Sequence, residues 1–257
     1  MPITSKYARS TPLKLCLRRW PLQAVFAPDG AQGGARITVA DMNYTGEVVP
    51  GGPAQERELD EVTITKFSVG AMDNNVYLLS CRHTGRRLLI DAASNAERIS
   101  EVLGDGELDY VVTTHRHHDH IGATEAVVTR TGATGIAHAD DADHIPAVSR
   151  RVHNGDTVEC GSFRVELIHL VGHTPGSIAV LYRDPGGSAH LFTGDSLFPG
   201  GVGKTRTDED FESLINDVEQ RIFDVLDDDT WVYPGHGNDT TLGQQRDQLP
   251  QWRERRW

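Results

Sequence analysis

Four short loops, "THRHHDH" (114–120), "GHTPGS" (172–177), "FTGDS" (192–196) and "YPGHG" (233–237), place a histidine or an aspartate at or just after the end of a run that reads as a strand. That recurrence constrains the fold more than any other feature. Metal-ligating side chains far apart in sequence work together only if the strands that carry them end at one edge of the structure. A histidine-rich storage tract would explain the first loop alone, and it would leave the other three without a reason.

The texture between these loops is regular from about residue 61. "VTITKFSV", "NNVYLLSC" and "RRLLIDA" read as three consecutive strands in hairpin order. "NAERISEVLG" has helical spacing with Gly104 as its stop, and "LDYVVTTH" is a short buried strand running into the histidine cluster. "GATEAVVTRTG" reads as a helix closed by Gly132, and "TGIAHA" as another strand. The second half repeats the order, with "DTVEC", "FRVELIHL", "SIAVLYR" and "HLFTGD" as strands. The helix "TDEDFESLINDVEQRIFDVL" comes next, capped by Thr207, with Phe211, Leu214, Ile215, Val218, Ile222 and Val225 expected on one face. "TWVYPGHG" is the last strand, and a helix from about Thr241 to Leu249 precedes Pro250 and a basic "RERR" end read as a solvated tail. Two similar halves, with sheets inside and helices outside, predict an α/β fold, a four-layer αββα sandwich.

With 257 residues and 38% hydrophobic content, the chain suits one domain plus a tail. A net charge of −12 argues against nucleic acid as a partner, because phosphate neutralisation needs clustered Lys and Arg. No run approaches eighteen consecutive apolar residues, so no membrane-spanning helix is expected. Cys16, Cys81 and Cys160 form no Cys-x-x-Cys pair and no disulfide framework, which fits a cytoplasmic protein. Residues 1–41 carry six basic and two acidic side chains, so the rest of the chain holds −16. This leader reads as a transit peptide or as an extension upstream of a true start at Met42. The expected boundaries are a poorly ordered extension over 1–55 and one folded domain, carrying all four loops, over 56–257.

Imidazole and carboxylate donors suit zinc first, with iron or manganese also possible. In His-x-His-x-Asp-His, His115 and His117 can face one ion while Asp119 and His120 face a neighbour. With His173, Asp195 and His236 the donors number seven, enough for two divalent ions. Five neutral histidines, two carboxylates and a bridging hydroxide would leave such a centre at about +1. Two metals roughly 3.5 to 4 Å apart lower the pKa of a shared water toward 7 and so supply a nucleophile. His118 is expected to point away. His83, His138, His144, His153, His169 and His190 are read as structural or solvated. Lys204, in "FPGGVGKT", is placed to meet a substrate carboxylate.

On "THRHHDH", "GHTPGS", "FTGDSLF" and "YPGHG" the chain resembles the metallo-β-lactamase superfamily, and within it the glyoxalase II-like hydrolases, over about residues 61–245. The resemblance implies His115, His117 and His173 on a first ion, Asp119, His120 and His236 on a second, and Asp195 bridging both. It implies a binuclear hydrolase attacking a small thioester, ester or lactone, with Asp119 orienting the hydroxide and shuttling its proton. True metallo-β-lactamases generally carry cysteine or serine in place of a bridging aspartate, so Asp195 points away from β-lactams. The family's RNA-processing nucleases need basic surface, which this core lacks. Glyoxalase II continues into a helical domain that helps hold glutathione, whereas about twenty residues come after His236 here, so thioester hydrolysis is expected without a committed glutathione site. Two rivals share the pattern: a mono-iron persulfide dioxygenase using His115, His173 and Asp195, and a lactonase. No partner beyond a small-molecule substrate is implied, and the oligomeric state is left open.

Overall fold

The computed structural model describes residues 44–257. Strands β1 (Gln55–Glu58), β2 (Val62–Val69), β3 (Asn74–Cys81), β4 (Arg87–Ile90), β5 (Tyr110–Val112), β6 (Thr134–His138) and β7 (Val148–Val152) form one sheet in sequential order. Its first four strands pair antiparallel, and β4 to β7 pair parallel. Strands β8 (Thr157–Cys160), β9 (Phe163–His169), β10 (Ile178–Arg183) and β11 (Ala189–Gly194) come next, followed by a small hairpin of β12 (Leu197–Phe198) and β13 (Gly201–Val202). With β14 (Trp231–Pro234) and β15 (Thr240–Thr241), strands β8 to β11 build a second sheet in the order β15-β14-β11-β10-β9-β8. The helices are α1 (Ala96–Leu103), α2 (His118–Ile121), α3 (Thr124–Thr131), α4 (Ala139–Ala142), α5 (Asp208–Val218), α6 (Leu242–Arg246) and α7 (Leu249–Arg255).

Period-two alternation with both faces apolar makes each central strand a wall between two cores. Along β3, Tyr77, Leu79 and Cys81 face the second sheet, while Val76 and Leu78 face α1 and α3. Along β10, Ile178, Val180 and Tyr182 point to the first sheet, and Ala179 and Leu181 point to α5 and α7. Three stacked cores thus separate four layers, helix, sheet, sheet and helix, as the αββα expectation required.

Several local expectations need correction. The chain past Val218 makes a widened turn over Glu219–Phe223, closed by Asp224 N–H on Glu219 O at 2.9 Å. The extra residue in that turn rotates the residues after it, so Val225 is 62% exposed and Leu226 takes the buried position. The basic end is no solvated tail. Pro250 lies in the first turn of α7, where its missing N–H is harmless, and Trp252 of the same helix is fully buried. Arg253 pairs with Glu219 and Arg256 with Asp208 and Glu212, pinning α7 to α5. Strands β1 and β7 were not expected; both are short and carry charged residues along their exposed positions.

Of the N-terminal extension, residues 1–43 lie outside the described residues. From Tyr44 onward, ahead of the boundary expected at residue 56, the chain packs on the domain. The Tyr44 hydroxyl donates to Asp239 (2.6 Å), and the fully buried Lys66 Nζ donates to Gly46 O (2.7 Å), Gly237 O (3.0 Å) and Asp239 Oδ1 (2.7 Å). Among the described residues no helix is long and apolar enough to cross a membrane.

Candidate metal centre

The loops meet at one edge because the strands before them end there. His115 comes after β5, Asp195 after β11 and His236 after β14, and His173 lies in the loop from β9 to β10. Backbone hydrogen bonds tie the loops across the two sheets. Ile178 N–H donates to Thr114 O (2.9 Å), Gly235 N–H to Gly194 O (2.8 Å), and Asn75 N–H to Gly235 O (2.8 Å). Glycine permits the tightest approach: a Cβ on Gly235 would lie 2.7 Å from His120 Cε1 and overlap Asp195 Oδ1.

All seven expected donors are brought together. His115, His117 and His173 form one group with donor atoms within 4.8 Å, and Asp119, His120 and His236 form a second. Asp195 stands between them: its Oδ2 lies 3.7 Å from His173 Nε2 and 3.6 Å from His236 Nε2, and its Oδ1 lies 3.3 Å from His120 Nε2. His118 points outward, 86% exposed. The histidines read as structural or solvated lie outside this cluster; His190, for example, is buried against the Tyr233 hydroxyl at 2.9 Å. Lys204 is exposed, and the part of it that touches the cluster is its carbonyl, 2.7 Å from His173 Nδ1.

The hydrogen bonds outside the cluster decide which nitrogen of each ring faces in. His173 Nδ1–H donates to Lys204 O, and His236 Nδ1–H donates to Met72 O at 3.0 Å. Thr114 Oγ1 donates to Asp91 Oδ2 (2.7 Å) and so accepts from His115 Nδ1 (3.1 Å). His120 Nδ1–H donates to Asp91 Oδ2 at 2.8 Å. Four Nε2 atoms are therefore left to face the interior, and His117 Nδ1 joins them 2.9 Å from His173 Nε2. Lone pairs crowded this closely repel unless a cation lies among them. Unless His120 is protonated, Asp195 Oδ1, 3.3 Å from that ring, is buried without a hydrogen-bond partner, an expensive arrangement for a carboxylate in a metal-free fold. The donor set fits divalent cations.

Charge points the same way. Burial, reinforced by the neighbouring imidazoles, pushes His115 well below the usual histidine range, and it lowers His117 and His173 as well. Burial also disfavours a charged His120, but Asp91 and Asp195 outweigh it and raise the ring to about 10. Burial works against the Asp195 carboxylate too, yet the imidazoles of His120 and His236 hold it far below the ordinary carboxylate range. Asp119 is likewise kept ionised against burial, first by Asn74 Nδ2, which donates to its Oδ2 at 3.0 Å. Without a metal, the site keeps a proton on His120 as its cation.

Sequence reasoning missed the groups behind the ligands. Asp91, directly after β4, sits at φ 58°, a left-handed backbone rare for aspartate, which lets its carboxylate take bonds from Thr114 N–H, Thr114 Oγ1 and His120 Nδ1. The signal was available, since Asp91 is an acid at the end of an apolar strand, as Asp195 is. Asp141 of α4 is 1% exposed and joins two ligand loops. It accepts from Arg116 N–H (3.1 Å), between His115 and His117, and from Thr174 Oγ1 (2.5 Å) and Gly176 N–H (3.1 Å), beside His173. Nothing in the local sequence around Asp141 announces that role.

A four-layer fold of this kind with a His and Asp cluster at one edge describes a class of metal-site proteins, and comparison with known proteins identifies the family. The family model described as the metallo-beta-lactamase superfamily matches residues 69–236, and the chain belongs to that superfamily. Within it the chain is similar to a hydroxyacylglutathione hydrolase of Polaromonas sp., with 35% identity over 168 residues, covering 65% of this chain and 63% of that one. It is also similar to the hydroxyacylglutathione hydrolase GloC of Haemophilus influenzae, with 30% identity over 185 residues, covering 63% of this chain and 85% of that one. Among solved structures, ETHE1 from Myxococcus xanthus superposes with a TM-score of 0.65 at 27% identity, over 73% of this chain and 83% of that one. The chain spans less than two thirds of the length of the Polaromonas relative.

Proposed function

We propose that the chain is a binuclear metal-dependent hydrolase of a small-molecule thioester, ester or lactone, holding two divalent ions with zinc as the first choice and iron or manganese as alternatives. The reading rests on Asp195, whose two oxygens lie between both donor groups. A single ion on His115, His173 and Asp195 would leave Asp119, His120 and His236 assembled without a use. In this reading His115, His117 and His173 hold one ion, Asp119, His120 and His236 the other, and Asp195 both. Such a pair supplies Lewis acidity toward an acyl oxygen and lowers the pKa of water toward neutrality.

The chain's own groups aim and time that chemistry. Asp91, Thr114 and the carbonyls of Met72 and Lys204 hold four rings so that Nε2 faces inward. Asp119, ionised and fixed by Asn74, orients the attacking water, takes its proton on a carboxylate oxygen and passes it to the leaving thiolate or alkoxide. The acyl–sulfur or acyl–oxygen bond breaks as the new acyl–oxygen bond forms. Lys204, exposed and joined to His173 through its carbonyl, is suited to a carboxylate on the substrate. The net charge of −12 gives nucleic acid no footing, and the free, buried Cys81 and Cys160 suit the reducing cytoplasm.

The test is turnover of a panel of thioesters and lactones by protein whose metal content has been quantified. Two ions per chain with hydrolysis support the reading. One iron per chain with oxygen uptake on a persulfide would replace it with the mono-iron dioxygenase, and turnover confined to lactones would narrow it to a lactonase.

A further inference from the structure

A cavity of about 200 Å³ opens beside the donor cluster, and His173 belongs to both, lining the cavity while its Nε2 faces His115 and His117. The loop around His173 forms one side; Arg116, Arg206 and Asp210 complete it. Close approach of that loop to α5 depends on Gly172, at φ 146°, where a Cβ would lie 2.6 Å from the Leu214 side chain.

The two arginines are differently prepared. Arg116 lies between two metal donors in sequence, and Asp141 anchors it, with its backbone N–H on Oδ2 at 3.1 Å and its Nε 3.4 Å from Oδ1. That guanidinium is thus held at its Nε edge by Asp141. Arg206 is exposed and makes no hydrogen bond or ion pair among the described residues. Asp210 is the one acid among the lining residues, against Arg116 and Arg206, with Asp141 behind Arg116. Val171 and Pro175 add apolar wall. At about 30 Å³ per water the space holds roughly seven waters, which suits a carboxylate on a chain of a few carbons. Cavities for drug-sized ligands run to about 300–1,000 Å³.

We propose that this cavity is a carboxylate-binding subsite, in which Arg116 and Arg206 hold an acid group of the substrate and so bring its scissile carbonyl over the donor cluster. The inference rests on the hydrolase reading above and names its substrate class: acyl compounds bearing a carboxylate a few bonds from the reacting carbon. Arginine suits the task because its planar fork meets both oxygens of a carboxylate.

The experiment uses the full chain, metal-loaded, and two matched pairs of thioesters. One pair is the succinyl and succinamyl thioesters of N-acetylcysteamine, with the acid or its amide on the acyl side. The other is the acetyl thioesters of 3-mercaptopropionate and 3-mercaptopropionamide, with the difference on the leaving side. The expected result is a kcat/KM preference for the acid in one pair, which identifies the side, and a fall in that preference by about tenfold or more in Arg206→Gln and in Arg116→Gln. Arg206→Gln protects the test if Arg116→Gln disturbs the Asp141 anchor. An acid-to-amide ratio near one in both pairs, or a ratio unmoved by Arg206→Gln, overturns the proposal. Calorimetry with the non-hydrolysable thioether analogues separates this inference from the reading beneath it. Tighter binding of an acid analogue without turnover of any thioester, ester or lactone keeps the subsite and removes the hydrolase, whereas turnover without discrimination does the reverse.

Discussion

The aspartates of this centre carry separable duties. Asp195 faces both donor groups, so Asp195→Ala should reduce bound metal below two ions per chain and lower activity at least a hundredfold, read by metal quantification after gel filtration and by kcat. His118→Ala, at an exposed ring beside the same loop, should leave both unchanged within twofold; a large loss would place His118 in the centre. Proton release on metal binding is a sharper check. His120 is raised to about 10 by Asp91 and Asp195 against burial, so the metal-free protein carries its proton through neutral pH and metal binding must expel it. Zinc titration at pH 7.5, in buffers of different ionisation enthalpy, should report release of about one proton or more per chain. Stability of the metal-free protein depends on the same proton. A raised histidine contributes stability that is fully present below its unfolded pKa and is lost as pH rises toward about 10, so chelated protein should melt lower at pH 10 than at pH 6, and this dependence should shrink in Asp91→Asn.

At the scale of elements, two attachments hold the site in shape. Asp141 of α4 joins the His115 to His117 loop to the His173 loop, so Asp141→Ala should weaken the first ion selectively, with at least tenfold faster loss to a chelator and a changed cobalt absorption spectrum. Equal loss of both ions would contradict that placement. Lys66 joins the segment at Gly46 to the loop after His236. Removing residues 1–47 should lower stability by about 3 kcal/mol, because Lys66 and Asp239 lose buried partners. The helix and strand pattern was readable wherever burial on one or both faces imposes a period, as in β2, β3, β10 and α5. It failed where tertiary contacts decide. Val225 left the apolar face because of a widened turn, and Arg253 and Arg256 looked like a solvated tail because their acidic partners lie some thirty to fifty residues earlier.

For the whole molecule, the two sheets act as a frame that turns seven dispersed side chains into one centre. The grouping of these seven donors could be read from the sequence because His and Asp at strand ends share a setting. Asp91 shares that setting and was passed over, whereas Asp141 could not be read, because what marks it is a set of bonds to two distant loops. The lining of the cavity beside His173 was equally hidden, since Arg116, Arg206 and Asp210 are joined only by the packing of a loop on α5. The central claim is the two-ion centre with Asp195 shared. It is tested most directly by anomalous diffraction from crystals of the zinc-loaded protein. Two peaks roughly 3.5 to 4 Å apart are predicted, one on His115, His117 and His173, the other on Asp119, His120 and His236, with Asp195 reaching both. A single peak on His115, His173 and Asp195, with the second donor group still empty at saturating zinc, would contradict it.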